Sequence, residues 1–190
     1  METEGSRIRI LNPTAQRAAD NASAGPPADS LHGKTVGIRV DQIWRSWDWI
    51  SEIWEANFRQ AGAQVTYWRS TNRSGEEGEE QERSLLAWLK TVDVVVLGLA
   101  NCGSCTGWTI RDAIAAANAG LPTVAVATRN FEAFAHEMAR RGGRSGLRVH
   151  TLPYPLNELS REDVEQVAKE YYAGLLSCMG VTSDAEEMVA

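Results

Sequence analysis

The run Asp93-Val94-Val95-Val96-Leu97-Gly98-Leu99 is the stretch that decides the fold. After its first residue it contains no polar side chain, so the strand that it predicts would be buried on both faces. Strands of this kind are typical of parallel sheets that are covered by helices on both sides. The run therefore predicts an α/β domain.

The same alternation of strand and helix continues on both sides of this run. Four further strands are predicted at residues 35–40, 64–68, 122–127 and 148–152. Helices are predicted at residues 48–61, 84–90, 109–119, 130–141 and 161–176, the last with Ser160 as its N-cap. Five strands interleaved with helices predict an α/β, doubly wound, mostly parallel five-stranded sheet with the flavodoxin-like order 2-1-3-4-5.

The remaining segments are expected to lie outside this domain, which we place at residues 34–180. Residues 1–33 are rich in Ala, Asn, Ser, Gly and Pro and are interpreted as an N-terminal arm, in which Ile8, Ile10 and Leu11 could add an extended segment. Residues 181–190 are interpreted as a C-terminal tail. The Glu-rich segment 71–82 is expected to be a mobile acidic loop.

The composition excludes several classes of function. A net charge of −6 on 190 residues argues against nucleic-acid binding, and the Arg cluster at 140–148 is expected to be a solvated face. No basic region precedes an apolar run at the amino end, and the apolar run 94–100 is too short to span a bilayer. We therefore expect a cytoplasmic protein that does not bind a membrane.

The binding site is expected where the strand order reverses, beyond the carboxyl ends of the first and third strands. The segment after the third strand contains Asn101-Cys102-Gly103-Ser104-Cys105-Thr106, and the segment after the first strand contains Asp41, Trp44 and Arg45. The fourth and fifth strands add further candidates to the same edge, namely Thr128, Asn130 and Tyr154. These side chains are the predicted site.

Two cysteines that open a helix after a parallel strand are typical of redox or nucleophilic chemistry. The helix would begin near Ser104 or at Thr109, and its N-terminus would stabilise a thiolate. A zinc site would have to recruit His150 or a distant Asp, and two small buried residues in a tight turn remain an alternative. The segment lacks the Lys and the glycine spacing of a phosphate loop. We expect neither a metal nor a cofactor.

The other titratable candidates are weaker. Cys178 is interpreted as a core residue and His136 as a structural residue of an amphipathic helix. His150, close to the end of a strand, is the better candidate for a general base. Among the seven Trp residues, Trp47 and Trp54 are expected to face the core, and Trp44 is expected to line the crevice.

The cysteine segment resembles the UGSC family, which is named for a Sec/Cys-Gly-Ser-Cys motif after a strand. The similarity extends to Trp108-Thr109-Ile110, Asp112-Ala113, Ile10-Leu11-Asn12-Pro13-Thr14, Gly33-Lys34-Thr35-Val36-Gly37, Gly120-Leu121-Pro122-Thr123-Val124 and Pro153-Tyr154-Pro155-Leu156. The resemblance implies that Cys102 is the reactive atom and Cys105 its partner. Two features depart from the family: Tyr154 stands where relatives usually have His, and the loop after the first strand is rich in Trp.

These observations predict a cysteine-dependent enzyme that acts on a small organic electrophile. Cys102 would be the nucleophile and Cys105 the partner thiol, with Ser104 and Thr106 completing the catalytic segment. The reaction could be a thiol-linked reduction or a redox-neutral addition or elimination. The alternative is a non-catalytic partner subunit, or a small-ligand-binding module, of a larger UGSC-type assembly. We expect a homodimer or a heterodimer with a related chain.

Overall fold

Five parallel strands and the helices that cover them make up the part of the chain, residues 19–182, that the computed structural model describes. The strands are β1 (Thr35–Val40), β2 (Gln64–Arg69), β3 (Val94–Ala100), β4 (Thr123–Thr128) and β5 (Arg148–Leu152). The helices are α1 (Arg45–Gln60), α2 (Gly75–Trp88), α3 (Gly103–Asn118), α4 (Arg129–Arg141) and α5 (Arg161–Met179), and a 3-10 turn covers Leu89–Thr91.

The strand order is β2-β1-β3-β4-β5, and every neighbouring pair is parallel. This confirms the predicted doubly wound sheet and its order. Helices α1 and α5 cover one face of the sheet, and α2, α3 and α4 cover the other. Because α1 and α3 leave β1 and β3 toward opposite faces, a crevice opens between the carboxyl ends of these two strands.

The α1/α5 face of the sheet is closed by large aromatic side chains. Trp47 and Trp54 are fully buried, which confirms that both face the core, and their rings lie 5.5 Å apart. The Trp47 indole N–H donates to the carbonyl of Arg39 at 3.0 Å. A Cβ atom at Gly98 would lie 2.5 Å from the Trp47 ring. Gly98 therefore leaves the space that the indole fills.

The Glu-rich segment is the main difference between prediction and structure. The expected mobile loop is wrong from residue 75 onward, because α2 begins at Gly75 and continues to Trp88. Carboxylates in its first turn face the positive helix N-terminus, and Arg83 pairs with Glu80 at 2.6 Å one turn away. Leu85 is buried against the sheet. Together, helix electrostatics and one apolar anchor outweigh the repulsion among the Glu residues.

Helix α3 begins at Gly103, so the earlier of its two predicted starts is confirmed and the start at Thr109 is wrong. The predicted N-cap of α5 is also confirmed, since the Ser160 hydroxyl oxygen accepts the backbone N–H of Asp163 at 3.2 Å.

Residues 20–31 run along the β5 edge of the domain and contact it closely. The Arg148 guanidinium donates to the carbonyls of residues 24, 25 and 26. Ala28 and Leu31 are buried, and Asp29 forms a parallel bridge with Val181. The extended segment proposed around Ile8, Ile10 and Leu11 lies outside the described residues, as do residues 183–190 of the predicted tail.

The predicted basic face is only partly solvated. Arg140 and Arg141 are exposed and pair with Glu137. Arg144 is instead buried and donates to the Ala117 carbonyl at 3.0 Å, and Arg148 is used by residues 24–26. The expected solvated face is therefore wrong for Arg144 and Arg148. Both side chains donate hydrogen bonds to backbone carbonyls of the protein instead.

No helix within residues 19–182 combines the length and the apolar character needed to cross a bilayer.

Candidate functional site

The cysteine turn connects the end of β3 to the start of α3. Cys102 is the N-cap of α3, and its sulfur accepts the backbone N–H of Cys105 at 3.1 Å. The Cα atoms of the two cysteines lie 5.1 Å apart, within the range that a disulfide requires, and the two sulfur atoms are bonded. The turn thus brings both sulfur atoms together at the positive end of a helix.

The two cysteines differ in exposure. Cys102 is half-buried, whereas only 6% of Cys105 is exposed. Ser104 is exposed, and its hydroxyl lies 3.5 Å from the Cys102 sulfur. Thr106 is fully buried and donates to the Cys102 carbonyl at 2.6 Å. The buried Thr106 therefore stabilises the backbone of the turn, while Ser104 lies beside the Cys102 sulfur.

Asn101 and Thr128 support the turn from the neighbouring strand. The Thr128 hydroxyl donates to the Asn101 side-chain oxygen at 2.8 Å, and both residues are buried. This bond joins the segment after β3 to the end of β4. Both residues were predicted to bind substrate, but the structure places them beneath the cysteine turn as supporting residues.

A cleft of about 440 Å³ opens on the Cys105 side of the turn. It lies at the predicted edge, between the segments that follow β1, β2 and β3. Its lining includes three predicted site residues, Asp41, Ser104 and Cys105, and several that were not predicted. The full lining is Arg39, Asp41, Gln42, Ile43, Ser70, Thr71, Asn72, Arg73, Ser74, Ser104, Cys105 and Trp108.

A buried group of four charged side chains lies at this cleft, three of them in its lining and Asp112 paired with two of these. Asp112 of α3 binds Arg39 with one carboxylate oxygen at 3.2 Å and Arg73 with the other at 2.6 Å. Arg39 also donates to the Gly98 carbonyl at 2.7 Å and lies 3.5 Å from Asp41. We call Arg39, Asp41, Arg73 and Asp112 the charge cluster.

Burial shifts the titration of two members of the charge cluster. Desolvation raises the pKa of Asp112 and lowers the pKa of Arg39, because both charged forms have lost water. The ion pairs between them act in the opposite direction on both groups. The cluster therefore depends on its internal pairing, and removal of any one partner would leave another charge uncompensated.

Arg73 is held between two aromatic rings. Its guanidinium carbon lies 5.5 Å from the ring centre of Trp68 and 5.2 Å from that of Trp108. Arg111 lies over Trp108 as well, at 5.5 Å, but this residue is exposed and pairs with Glu82. The aromatic contacts fix the position of the Arg73 head group.

Sequence reasoning missed Arg39, Arg73 and Asp112 as members of a site. The available signal was a charged residue within an apolar run: Arg39 interrupts the first strand, and Asp112 interrupts the apolar side of α3. Arg73 carried no such signal. It belongs to a polar loop, and only the fold brings it to Asp112.

Four predicted residues lie away from the cleft. Arg45 is exposed and lies over Trp49 at 5.7 Å, and Trp44 packs partly buried against the core of the α1/α5 face. Both belong to the start of α1, which turns toward the face opposite α3. Asn130 is exposed at the start of α4, and Tyr154, which is 46% exposed, contacts Phe131.

His150 and Cys178 lie on the α1/α5 side, remote from the cleft lining. His150 is buried between the rings of Trp54 and Tyr171, and burial lowers its pKa. Burial also raises the pKa of the half-buried Cys178 thiol. His150 is therefore not placed to act as a base for Cys102. Within residues 19–182, no group of three or more His, Cys, Asp or Glu side chains could hold a metal ion.

The flavodoxin-like fold raises the question of a flavin mononucleotide at the β1/β3 crevice. A phosphate would need free backbone N–H groups in the loop after β1 or at the start of α1. In this chain the Asp41 carboxylate already accepts the N–H groups of Ile43 and Trp44, at 2.8 and 3.0 Å. A phosphate dianion would meet this carboxylate, so the loop does not fit that cofactor.

A second, apolar groove of about 690 Å³ lies between α3 and α4 on the other side of the cysteine turn. Ser104 and Trp108 line both the groove and the cleft. The remaining groove residues are Gly107, Ile110, Arg111, Ile114, Met138, Arg141 and Gly142.

The fold and the site together define a doubly wound α/β protein with a two-cysteine turn at the switch point of its sheet. A family comparison agrees with the motif. The UGSC family model matches residues 9–181, and the chain therefore belongs to the UGSC family. No curated protein matches the chain in sequence.

Several solved structures are similar to the chain at low identity. A flavo di-iron protein variant from Thermotoga maritima is 11% identical with a TM-score of 0.44; the match covers 78% of this chain but only 37% of that protein. A diflavin flavoprotein from Nostoc sp. is 10% identical with a TM-score of 0.46, covering 85% of this chain and 99% of that one. An FMN-dependent NADH-azoreductase from Bacillus anthracis is 10% identical with a TM-score of 0.39, covering 78% and 100%. At these identities the similarity concerns the fold only.

Proposed function

We propose that the protein is a dithiol enzyme that reduces a small organic electrophile with the Cys102–Cys105 pair. The observation that carries the proposal is the pairing of a half-buried Cys102 with a buried Cys105 in one disulfide at a helix N-terminus. Cys102 has the more exposed sulfur and is the attacking thiol, and Cys105, which is bonded to it, is the partner that resolves the adduct.

The reaction proceeds in three steps. The Cys102 thiolate attacks the electrophilic atom of the substrate, and a bond forms between that atom and sulfur. The bond from that atom to its leaving group breaks, and the leaving group departs with the electron pair and takes up a proton. The Cys105 thiolate then attacks the Cys102 sulfur, so that the disulfide forms while the bond to the substrate breaks. The electron pair of that bond leaves with the product, which takes up a proton. An external thiol reductant returns two electrons to the disulfide and is itself oxidised.

The surroundings of Cys102 favour its ionised form in the reduced protein. Its sulfur lies at the N-terminus of α3, next to the N–H of Cys105 and 3.5 Å from the Ser104 hydroxyl. Backbone N–H groups and the helix dipole stabilise a thiolate at this position. The attacking group therefore does not need a histidine base.

The roles of the two thiols are separated by single substitutions. We expect Cys105→Ser to form one stable mixed disulfide with oxidised glutathione at Cys102, because no second thiol can resolve it. Cys102→Ser should form none at this site, because a neutral hydroxyl without a base is a poor nucleophile. Intact-mass measurement followed by peptide mapping reads out both results. Cys178→Ser is the matched control and should behave as the unmodified protein.

The same variants test the alternatives. If Cys105→Ser kept full turnover of a substrate, the redox-neutral addition or elimination would replace the reductive cycle. If Cys102→Ser kept full turnover of a substrate, neither the reductive nor the redox-neutral reaction would stand. A ligand-binding or partner subunit would then be the better interpretation.

A further inference from the structure

Arg73, which lines the cleft beside Cys105, has a cationic donor that the protein does not use. The Arg73 side chain is only 5% exposed, and its Nη2 atom donates to Asp112. Its Nη1 atom is buried and has no hydrogen-bond partner among the residues that the structure describes. A buried donor without an acceptor is unfavourable. An acceptor supplied by a ligand would remove this cost.

The carboxylates of the cleft are already occupied. Asp112 uses its two oxygens for Arg39 and Arg73. Asp41 accepts two backbone N–H groups with one oxygen and faces Arg39 with the other. The two Arg and two Asp side chains of the charge cluster balance in formal charge. Among these side chains, the one donor that is buried without a partner in the part of the chain that the structure describes, Nη1 of Arg73, belongs to a positively charged group. The cleft is therefore suited to a ligand that carries an acceptor.

The position of the Arg73 guanidinium favours a planar, singly charged acceptor. The rings of Trp68 and Trp108 hold the head group in one place, so little side-chain freedom would be lost on binding. A phosphate dianion would place two negative charges beside Asp41 and Asp112. A carboxylate carries one charge and matches the geometry of a guanidinium.

We propose that Arg73 binds a carboxylate of the substrate in the cleft, so that the substrates are small electrophiles that carry a carboxylate group. Arg73 and Cys105 line the same cleft, which places the bound carboxylate in the space that adjoins the disulfide. That the bound molecule is a substrate rests on the proposed function of the Cys102–Cys105 pair. That Arg73 binds its carboxylate does not.

Binding is tested first on the oxidised protein, in which neither thiol of the pair can react. Propionate should give a saturable change in tryptophan fluorescence, since Trp68 and Trp108 contact Arg73, and the neutral isostere propionamide should not. Arg73→Gln should weaken propionate binding about tenfold or more, which is the effect of losing one charge-assisted hydrogen bond. Arg111→Gln removes an exposed guanidinium from the same Trp108 ring and should leave binding unchanged.

Reaction is tested on the reduced protein with a second matched pair of reagents. Iodoacetate carries a carboxylate, and iodoacetamide is its neutral counterpart. We compare the alkylation rate of iodoacetate with that of iodoacetamide at the Cys102–Cys105 pair. This ratio, divided by the same ratio for glutathione, should be about ten. Arg73→Gln should bring this value to about one, whereas Arg111→Gln should keep it near ten.

The charge left on Asp112 could unfold the Arg73→Gln variant, which circular dichroism would show. Arg73→Lys keeps a charge for Asp112 but loses the forked head group, and the double variant R73Q/D112N removes both partners together. Both variants should lose the preference for carboxylate reagents.

The possible results separate the two proposals. Propionate binding that depends on Arg73, found together with thiols that do not react or cycle, would remove the proposed function and leave this inference standing. Equal responses to propionate and propionamide, or equal effects of the Arg73 and Arg111 variants, would overturn the inference. The disulfide cycle would then stand without it.

Discussion

The two faces of the sheet bury ionisable groups in opposite ways. On the α1/α5 face, His150 lies among aromatic rings, and burial lowers its pKa. On the α2/α3/α4 face, Arg39 and Arg73 share the two oxygens of Asp112. One face keeps its buried group neutral, and the other keeps its buried groups charged by pairing them.

This difference shows which buried polar groups belong to a site. His150 could be replaced by an apolar side chain without leaving a charge behind. No single member of the charge cluster can be replaced in this way, since each member compensates another. Three of its members, Arg39, Asp41 and Arg73, line a cleft at the carboxyl edge of the sheet. In this protein, a buried ionisable group therefore indicates a functional site only when it is paired with an opposite charge and lies at the carboxyl edge of the sheet between β1 and β3.

The largest effect on stability is expected from breaking the charge cluster. Asp112→Ala leaves Arg39 and Arg73 buried without their shared partner, and we expect a loss of about 3–5 kcal/mol in the free energy of unfolding. Urea denaturation followed by circular dichroism measures it. Glu137→Ala removes a partly exposed partner of the exposed Arg140 and Arg141 and should leave the midpoint nearly unchanged. A loss for Asp112→Ala no larger than the control would contradict the distinction between the faces.

A smaller effect is expected at Gly98, where the two faces meet. Its carbonyl accepts Arg39 on one side, and the Trp47 ring lies against it on the other. A Cβ atom 2.5 Å from the ring must displace it, so Gly98→Ala should cost about 1–3 kcal/mol. Thermal denaturation gives the value. Gly107→Ala is the control, because a Cβ atom there meets nothing within 4 Å and should not destabilise the protein.

The pH dependence of stability tests the α1/α5 face. Because the pKa of His150 is lowered in the folded protein, the unfolded chain takes up its proton first as the pH falls below about 6.5. The stability that the neutral group contributes above this pH is lost as the pH falls toward the folded pKa. His150→Leu should reduce the difference in unfolding free energy between pH 7 and pH 5. His136→Leu, at an exposed position of α4, should leave that difference in place.

Much of the fold followed from local patterns. Runs such as Val94–Ala100 can only be strands buried on both faces, and right-handed crossovers then limit the order of five strands. The position of the cysteine turn followed as well, because Cys102 comes directly after such a strand. Only the end of helix α2 was predicted, within the helix expected at 84–90; its Glu-rich first part was not, since its apolar anchors are few and the Glu residues dominated the pattern.

The cleft was harder to predict because its residues are distant in sequence. Arg73 and Asp112 are 39 positions apart and meet only because α2 and α3 cover the same face. Arg45 was expected at the cleft because it follows β1, but α1 turns to the other face and carries it away. The side of the sheet to which a helix turns depends on the topology of the whole domain. It could not be predicted from the residues of the loop before the helix.

The helix N-terminus should make Cys102 a reactive thiol, in contrast to Cys178 on the other face. The rate of alkylation by iodoacetamide as a function of pH, measured for Cys102 and Cys178 in one sample of reduced protein, tests it most directly. Cys102 should inflect below the free-thiol pKa of about 8.5. Cys178, whose pKa is raised by burial, should inflect at a higher pH and react more slowly at pH 7. Inflections at the same pH, or faster labelling of Cys178, would show that the helix N-terminus does not activate Cys102.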